Sequence, residues 1–121
     1  MSFKKIPKLQ IGDLITNISI IQGGMGVGIS LSGLASAVAN MGAIGVISTA
    51  GIGMLEPDFS ANFNEANKRA SREEIRKAKE MTTGIIGVNI MVALSDYHDL
   101  VQVAVDEGAD LVFLEKLQLC A

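Results

Sequence analysis

The sequence predicts an α/β fold in which parallel strands alternate with helices, and three observations carry that expectation. Short, β-branched apolar runs alternate with longer segments of helical periodicity. Those runs are apolar throughout rather than alternating with polar residues, as in parallel strands covered by packed elements on both faces. Glycines at 42, 84 and 108 follow the helical segments and leave only short returns to the next strand. The order β-α-β-α-β-α-β then requires right-handed crossovers, a condition met equally by a barrel or an open sheet.

The first strand is Ile18 to Gln22 (ISIIQ), followed by Gly23, Gly24, Gly26 and Gly28 before a helix begins. Ser30 or Ser32 is expected to cap that helix, with Leu31, Leu34, Ala35 and Val38 recurring at helical spacing and Gly42 as its left-handed C-terminal cap. Ala43 to Ser48 is the second strand. Thr49 to Asn62, rich in turn formers, is the longest irregular connection and a candidate active-site loop. Charges concentrate in a second helix from about Phe63 to Met81, where Glu65 with Arg69 and Glu73 with Lys77 stand in the favourable i, i+4 order. Mixed signs read as a solvated outer face, while Ala66, Ala70, Ile75 and Ala78 form a modest apolar stripe that Ser71 interrupts. Ile85 to Met91 is the third strand, Ser95 is expected to cap a helix from Asp96 to Glu107, and Ala109 to Leu114 is the fourth strand.

Composition narrows the function. The chain has 121 residues, 49% of them hydrophobic and 19% charged, and a formal charge of -3. It can form a core but offers no positive field for nucleic acid or an anionic membrane. Cys120 has no internal disulfide partner, and His98 leaves no Cys/His cluster with zinc spacing. A reducing, cytoplasmic setting is expected. No charge occurs from Leu14 to Leu55, yet Gln22, Ser30, Ser32, Ser36, Asn40, Gly42 and Gly45 interrupt the run, so a membrane helix is a poor fit. Lys4, Lys5 and Lys8 precede a stretch broken by Gly12, Asp13 and Asn17, which argues against a signal peptide. Neither a second domain nor an internal repeat is visible.

The glycine loop at the carboxyl end of the first strand is the leading candidate site, because backbone without side chains can lie against a flat ligand or a neighbouring loop. It is not a dinucleotide fingerprint: Leu31 stands at the third glycine position, and no acid follows Ile47-Ser48-Thr49. Asn89 places an amide in an otherwise apolar strand, where it caps a loop or faces a ligand. Ser48 and Thr49 end the second strand at the same level. His98, expected on the side away from the strand ends, reads as solvent-exposed, and Cys120 has no neighbour to activate it.

The stretches IIQGGMGVGISLSGLASAVANMGAIGVIS (Ile20 to Ser48) and IIGVNIMVALSDYHDLVQVAVDEGADLV (Ile85 to Val112) resemble the nitronate monooxygenase family, formerly 2-nitropropane dioxygenases, which includes FMN-dependent enoyl-ACP reductases. The resemblance implies a (β/α)8 TIM barrel, of which residues 1 to 121 would supply about four units, the amino-terminal half. It implies non-covalent FMN and either oxidation of alkyl nitronates with O2 or NAD(P)H-dependent reduction of an enoyl thioester. By position, Gly23, Gly24 and Met25 resemble the loop against the flavin ring, with Ser48, Thr49, Asn89 and Gln22 also assigned to it. The family's catalytic histidine and phosphate loops belong to later units. Phe113 to Ala121 (FLEKLQLCA) replaces the small, glycine-rich family pattern and reads as an abrupt end. A half-barrel without catalysis, which self-associates through its open sheet edges or binds a ligand, is the expectation of a different class.

Overall fold

In the computed structural model, residues 6–116 are described. A short antiparallel hairpin, β1 (Gln10–Ile11) and β2 (Leu14–Ile15), precedes α1 (Ser32–Asn40), β3 (Gly45–Ser48), α2 (Phe63–Met81), β4 (Ile86–Met91), α3 (Tyr97–Asp106) and β5 (Leu111–Glu115). β3, β4 and β5 form a parallel sheet in that order, with Ile47 opposite Val88 and Asn89 opposite Phe113. Every crossover between them is a helix, as the alternation of periodicities requires. The sheet is not closed into a barrel among the described residues.

One face of this sheet holds the core. Ile47, Ile86, Val88 and Ile90 are each 0% exposed and pack with Ala35, Ala39, Ala70, Ile75, Ala78, Leu100, Val103 and Ala104 from the three helices. The small residues on α1 let it approach closely: a Cβ built on Gly45 would lie 1.8 Å from the Ala35 carbonyl oxygen. Gly84 is small for the same reason, since its Cβ would lie 2.6 Å from the Ala39 carbonyl oxygen. Gly42, with φ +92°, ends α1 in the left-handed conformation expected of it.

Several local expectations change. The strand Ile18 to Gln22 shrinks to a parallel bridge between Ile21 and Ile44. The Gln22 N–H still donates to the Ile44 carbonyl at 3.0 Å, but the Gln22 side-chain oxygen takes the Val46 N–H at 3.1 Å. A side chain thus replaces the next backbone rung, and the main chain is released into the glycine loop. Neither Ser30 nor Ser32 caps α1; Leu31 is the N-cap residue, and the Glu74 carboxylate of α2 accepts the Ser32 N–H at 2.8 Å. An acid at a helix N-terminus also suits the helix dipole. Ser95 is no cap either, because Asp96 occupies that position of α3. The β1–β2 hairpin adds to the expected elements, and Gly12-Asp13 between Ile11 and Leu14 is its local signal.

Helix α2 has the predicted bounds and a solvated outer face. Glu73 pairs with Lys77 at 2.9 Å, whereas Glu65 turns to Lys68 at 2.6 Å instead of Arg69. Arg69 reaches Glu56 at 3.1 Å and Asp58 at 2.6 Å, tying the Thr49 to Asn62 connection to the helix. These hydrogen-bonded partners raise the pKa values of Lys68, Arg69 and Lys77 and hold the Glu73 carboxyl below its ordinary range. Ser71 is 0% exposed and its hydroxyl has no partner among the described residues. No helix among the described residues is long and apolar enough to cross a membrane; α1, inside the uncharged run, has 9 residues.

Candidate functional site

The sheet face opposite the helices carries Val46 and Ser48 from β3, Gly87 and Asn89 from β4, and Phe113 and Glu115 from β5, following the two-residue period of paired strands. At its carboxyl edge lies a cavity of about 360 Å3 lined by Ile21, Gln22, Gly23, Gly24, Val46, Asn89, Phe113, Leu114 and Glu115. The carboxyl ends of parallel strands are where ligand sites form in such folds.

The glycine loop reaches this edge through three anchors. Ser30 Oγ accepts the Met25 N–H at 2.9 Å, the Ser30 N–H donates to the Met25 carbonyl at 2.9 Å, and Gln22 Nε2 donates to Ser30 Oγ at 3.2 Å. Ser30 is therefore a loop-closing residue rather than a helix cap. The loop then presses on β4: a Cβ on Gly24 would lie 2.7 Å from Asn89 Nδ2 and 2.8 Å from Asn89 Cβ. Gly24 is thus glycine because Asn89 fills the space. Gly23 differs, since nothing lies within 4 Å of its Cβ direction. Its backbone is free to lie flush against a ligand face.

Asn89 is 8% exposed and donates from Nδ2 to Glu115 Oε1 at 2.7 Å. Thr49 is fastened to the same strand, with its N–H and its hydroxyl both donating to the Asn89 carbonyl, at 3.1 and 3.0 Å. Ser48 sits opposite Asn89 in register, and its N–H donates to the Ser30 carbonyl at 2.9 Å. Of the residues assigned from sequence, Gln22, Gly23, Gly24 and Asn89 line the cavity. Ser48 and Thr49 are buried in its support, and Met25 is 58% exposed beside it.

Five lining residues, Ile21, Val46, Phe113, Leu114 and Glu115, are not assigned to the site from sequence, and two of them change its character. Phe113 and Glu115 lie in the segment read as an abrupt departure, yet β5 carries both to the cavity. Phe113 packs over Gly87, whose Cβ would stand 2.6 Å from its ring. The signal lies in the register, because Phe113 and Glu115 continue the face on which Asn89 stands. A second polar cluster is equally invisible in the sequence. Asn67 accepts the Gly53 N–H at 2.9 Å and donates to Asp96 at 2.9 Å, joining the connections that follow β3 and β4. His98 is exposed as expected, but it stands in the first turn of α3, soon after the end of β4, and so at the carboxyl end of the strands rather than away from them. Cys120 lies outside the described residues. Among the described residues no group of three His, Cys, Asp or Glu side chains could hold a metal ion.

The cavity combines apolar walls, open backbone and amide groups, the elements that hold a flat conjugated ring. Ile21, Val46 and Phe113 supply apolar walls, the open Gly23 backbone supplies a close approach, and Gln22 and Asn89 supply amides. Among the described residues no Lys or Arg lines it, so they provide no cation for a phosphate.

Parallel strands, helical crossovers and a cavity at the carboxyl edge define part of a (β/α) barrel. The chain belongs to the nitronate monooxygenase family: a family profile described as Nitronate monooxygenase matches residues 8–114. Among solved structures, FabK from Thermotoga maritima aligns with a TM-score of 0.62 at 28% identity, over 82% of this chain and 27% of that one. A point mutant of the same FabK aligns with a TM-score of 0.61 at 28% identity, over 83% of this chain and 29% of that one. The chain therefore spans less than a third of those structures. No curated protein matches it. These neighbours agree with the parallel sheet and its helical crossovers as part of a barrel.

Proposed function

We propose that residues 1 to 121 are the amino-terminal half of a flavin-binding (β/α)8 barrel, and that their cavity takes the ring of FMN. The carrying observation is the convergence of Gln22, Gly23 and Gly24 with Asn89, distant from them in sequence, on one cavity at the carboxyl edge of the sheet. Family membership over residues 8–114 supports the same reading. Ser48 and Thr49 support the ring site from beneath, and Met25 flanks it. When bound, FMN supplies two-electron redox chemistry; the chain's own groups orient the ring and keep water from one face of it. The substrate of the complete barrel is a small molecule, an alkyl nitronate oxidised with O2. An enoyl thioester reduced by NAD(P)H is the alternative, because one ring site serves both.

The phosphate clamp belongs to later units in this reading, so the ring contacts of the half-barrel act alone and FMN binding is weak. The open sheet edges, with Ile18, Ile20 and Ile21 between 40% and 57% exposed, favour association of the isolated chain. Titration of the purified chain with FMN, followed by flavin fluorescence, tests the ring site. Saturable quenching that is lost in Asn89→Leu supports it; quenching identical in both chains removes it. Nitronate-dependent oxygen uptake by the complete barrel, compared with enoyl-thioester-dependent NAD(P)H oxidation, separates the two reactions.

A further inference from the structure

We propose that Glu115 sets the ligand specificity of this cavity, making it favour a neutral ring with an N–H donor over the same ring carrying negative charge. The inference rests on the flavin reading and adds to it a residue that the sequence assigned to no site. Glu115 Oε1 accepts from Asn89 Nδ2 at 2.7 Å. A carboxylate only accepts, so this bond fixes which end of the amide faces it. One of the two Nδ2 hydrogens is committed to Glu115, and Oδ1 is the acceptor that this residue of the cavity lining offers. The amide has little freedom to turn over, since Asn89 is 8% exposed and lies beneath Gly24 at a distance that excludes even a Cβ.

The matching ligand edge therefore presents a donor, such as the imide N–H of a pyrimidinedione ring. The N–H groups of Gly23 and Gly24, which make no backbone hydrogen bond among the described residues, suit its carbonyl oxygens or ring nitrogens. Among the described residues, Glu115 is also the one ionisable side chain lining the cavity, and no Lys or Arg lines it. A negative charge spread over the ring meets a like charge that no cavity-lining cation offsets. Two electrons and one proton convert the neutral oxidised flavin ring into an anionic hydroquinone, so the cavity holds the oxidised form more tightly.

Dissociation constants for FMN, oxidised and dithionite-reduced under anaerobic conditions, test this on the purified chain, on Glu115→Gln and on the control Glu80→Gln. The Glu115→Gln variant keeps a side-chain oxygen for the Asn89 amide while removing the charge. Glu80 is exposed on the outer helix α2, and its replacement changes net charge equally. The expected result is about tenfold tighter binding of reduced FMN to Glu115→Gln, allowing for the solvent exposure of Glu115, with oxidised FMN changed by less than about twofold. That selectivity corresponds to a rise of about 30 mV in the potential of the bound two-electron couple. Glu80→Gln leaves the ratio where it was. Equal changes for both redox states, or no change for the reduced form, overturn the role of Glu115 while leaving the ring site standing. Absence of FMN binding by the unaltered chain in either redox state overturns the ring site itself, and this inference with it.

Discussion

The two faces of the parallel sheet are built by different rules. On the helix side, Ile47, Ile86, Val88 and Ile90 are sealed at 0% exposure, and their core neighbours are apolar, several of them alanines small enough to allow close packing. On the other side, the same sheet presents Ser48, Asn89 and Glu115, and space is governed by two glycines that behave in opposite ways. Gly24 is pressed against Asn89, while Gly23 faces nothing within 4 Å. Volume decides the first face and polar satisfaction the second. A substitution on the helix side should therefore be read in stability, whereas one on the cavity side should be read in ligand affinity.

The largest expected effect belongs to Gly45→Val. A Cβ there already meets the Ala35 carbonyl at 1.8 Å, and a β-branched side chain must drive α1 off β3. The expected loss is about 4 kcal/mol or more, enough to abolish a cooperative urea transition followed by circular dichroism. A wild-type midpoint would show that α1 does not pack on β3 as described.

Next comes Asn89→Leu, which leaves Glu115 and any ligand donor without the amide. Affinity for FMN should fall by about 1 to 3 kcal/mol in a fluorescence titration. Gly24→Ala should reproduce part of that loss by displacing the Asn89 side chain, and the two changes combined should be less than additive. Full additivity would break the link between the loop and the amide.

These cases also mark what the sequence makes legible. The strands after the glycine loop, the helix Phe63–Met81 and the helix-side core follow from periodicity, which is a local property of the chain. Asn89 stands out for a similarly local reason, being polar inside an apolar run. Hidden in the sequence are the polar partnerships between distant residues. Glu74 accepts the first N–H of α1 from 42 positions away, and Glu115 meets Asn89 from 26 positions away. Composition and spacing identify a group that needs a partner, but only the strand register and helix packing determine which residue provides it.

Ser71→Ala is the next smaller effect and has the opposite sign. Its hydroxyl is fully buried on the helix side without a partner among the described residues, so the folded state carries a desolvation cost that alanine removes. Alanine also has the higher helix propensity. A gain of about 1 kcal/mol is expected from the urea midpoint at unchanged slope. A loss of stability would mean that Ser71 has a partner, and that the helix side is not governed by volume alone.

Gly23→Ala should change stability least, and it separates the two faces most sharply. Its φ is not in the left-handed region, and nothing lies within 4 Å of the added methyl group, so the fold has no reason to resist. A stability change within about 0.5 kcal/mol is expected. The methyl group does, however, enter the surface on which a flat ring must lie, and dispersion attraction forfeited across a ring face is not recovered elsewhere. FMN affinity should therefore fall while the urea midpoint stays in place, whereas Gly24→Ala should move both, because it acts through Asn89. If Gly23→Ala left both quantities unchanged, the open direction at Gly23 would face solvent rather than the ligand, and the ring would have to be seated on Gln22, Phe113 and Asn89 instead.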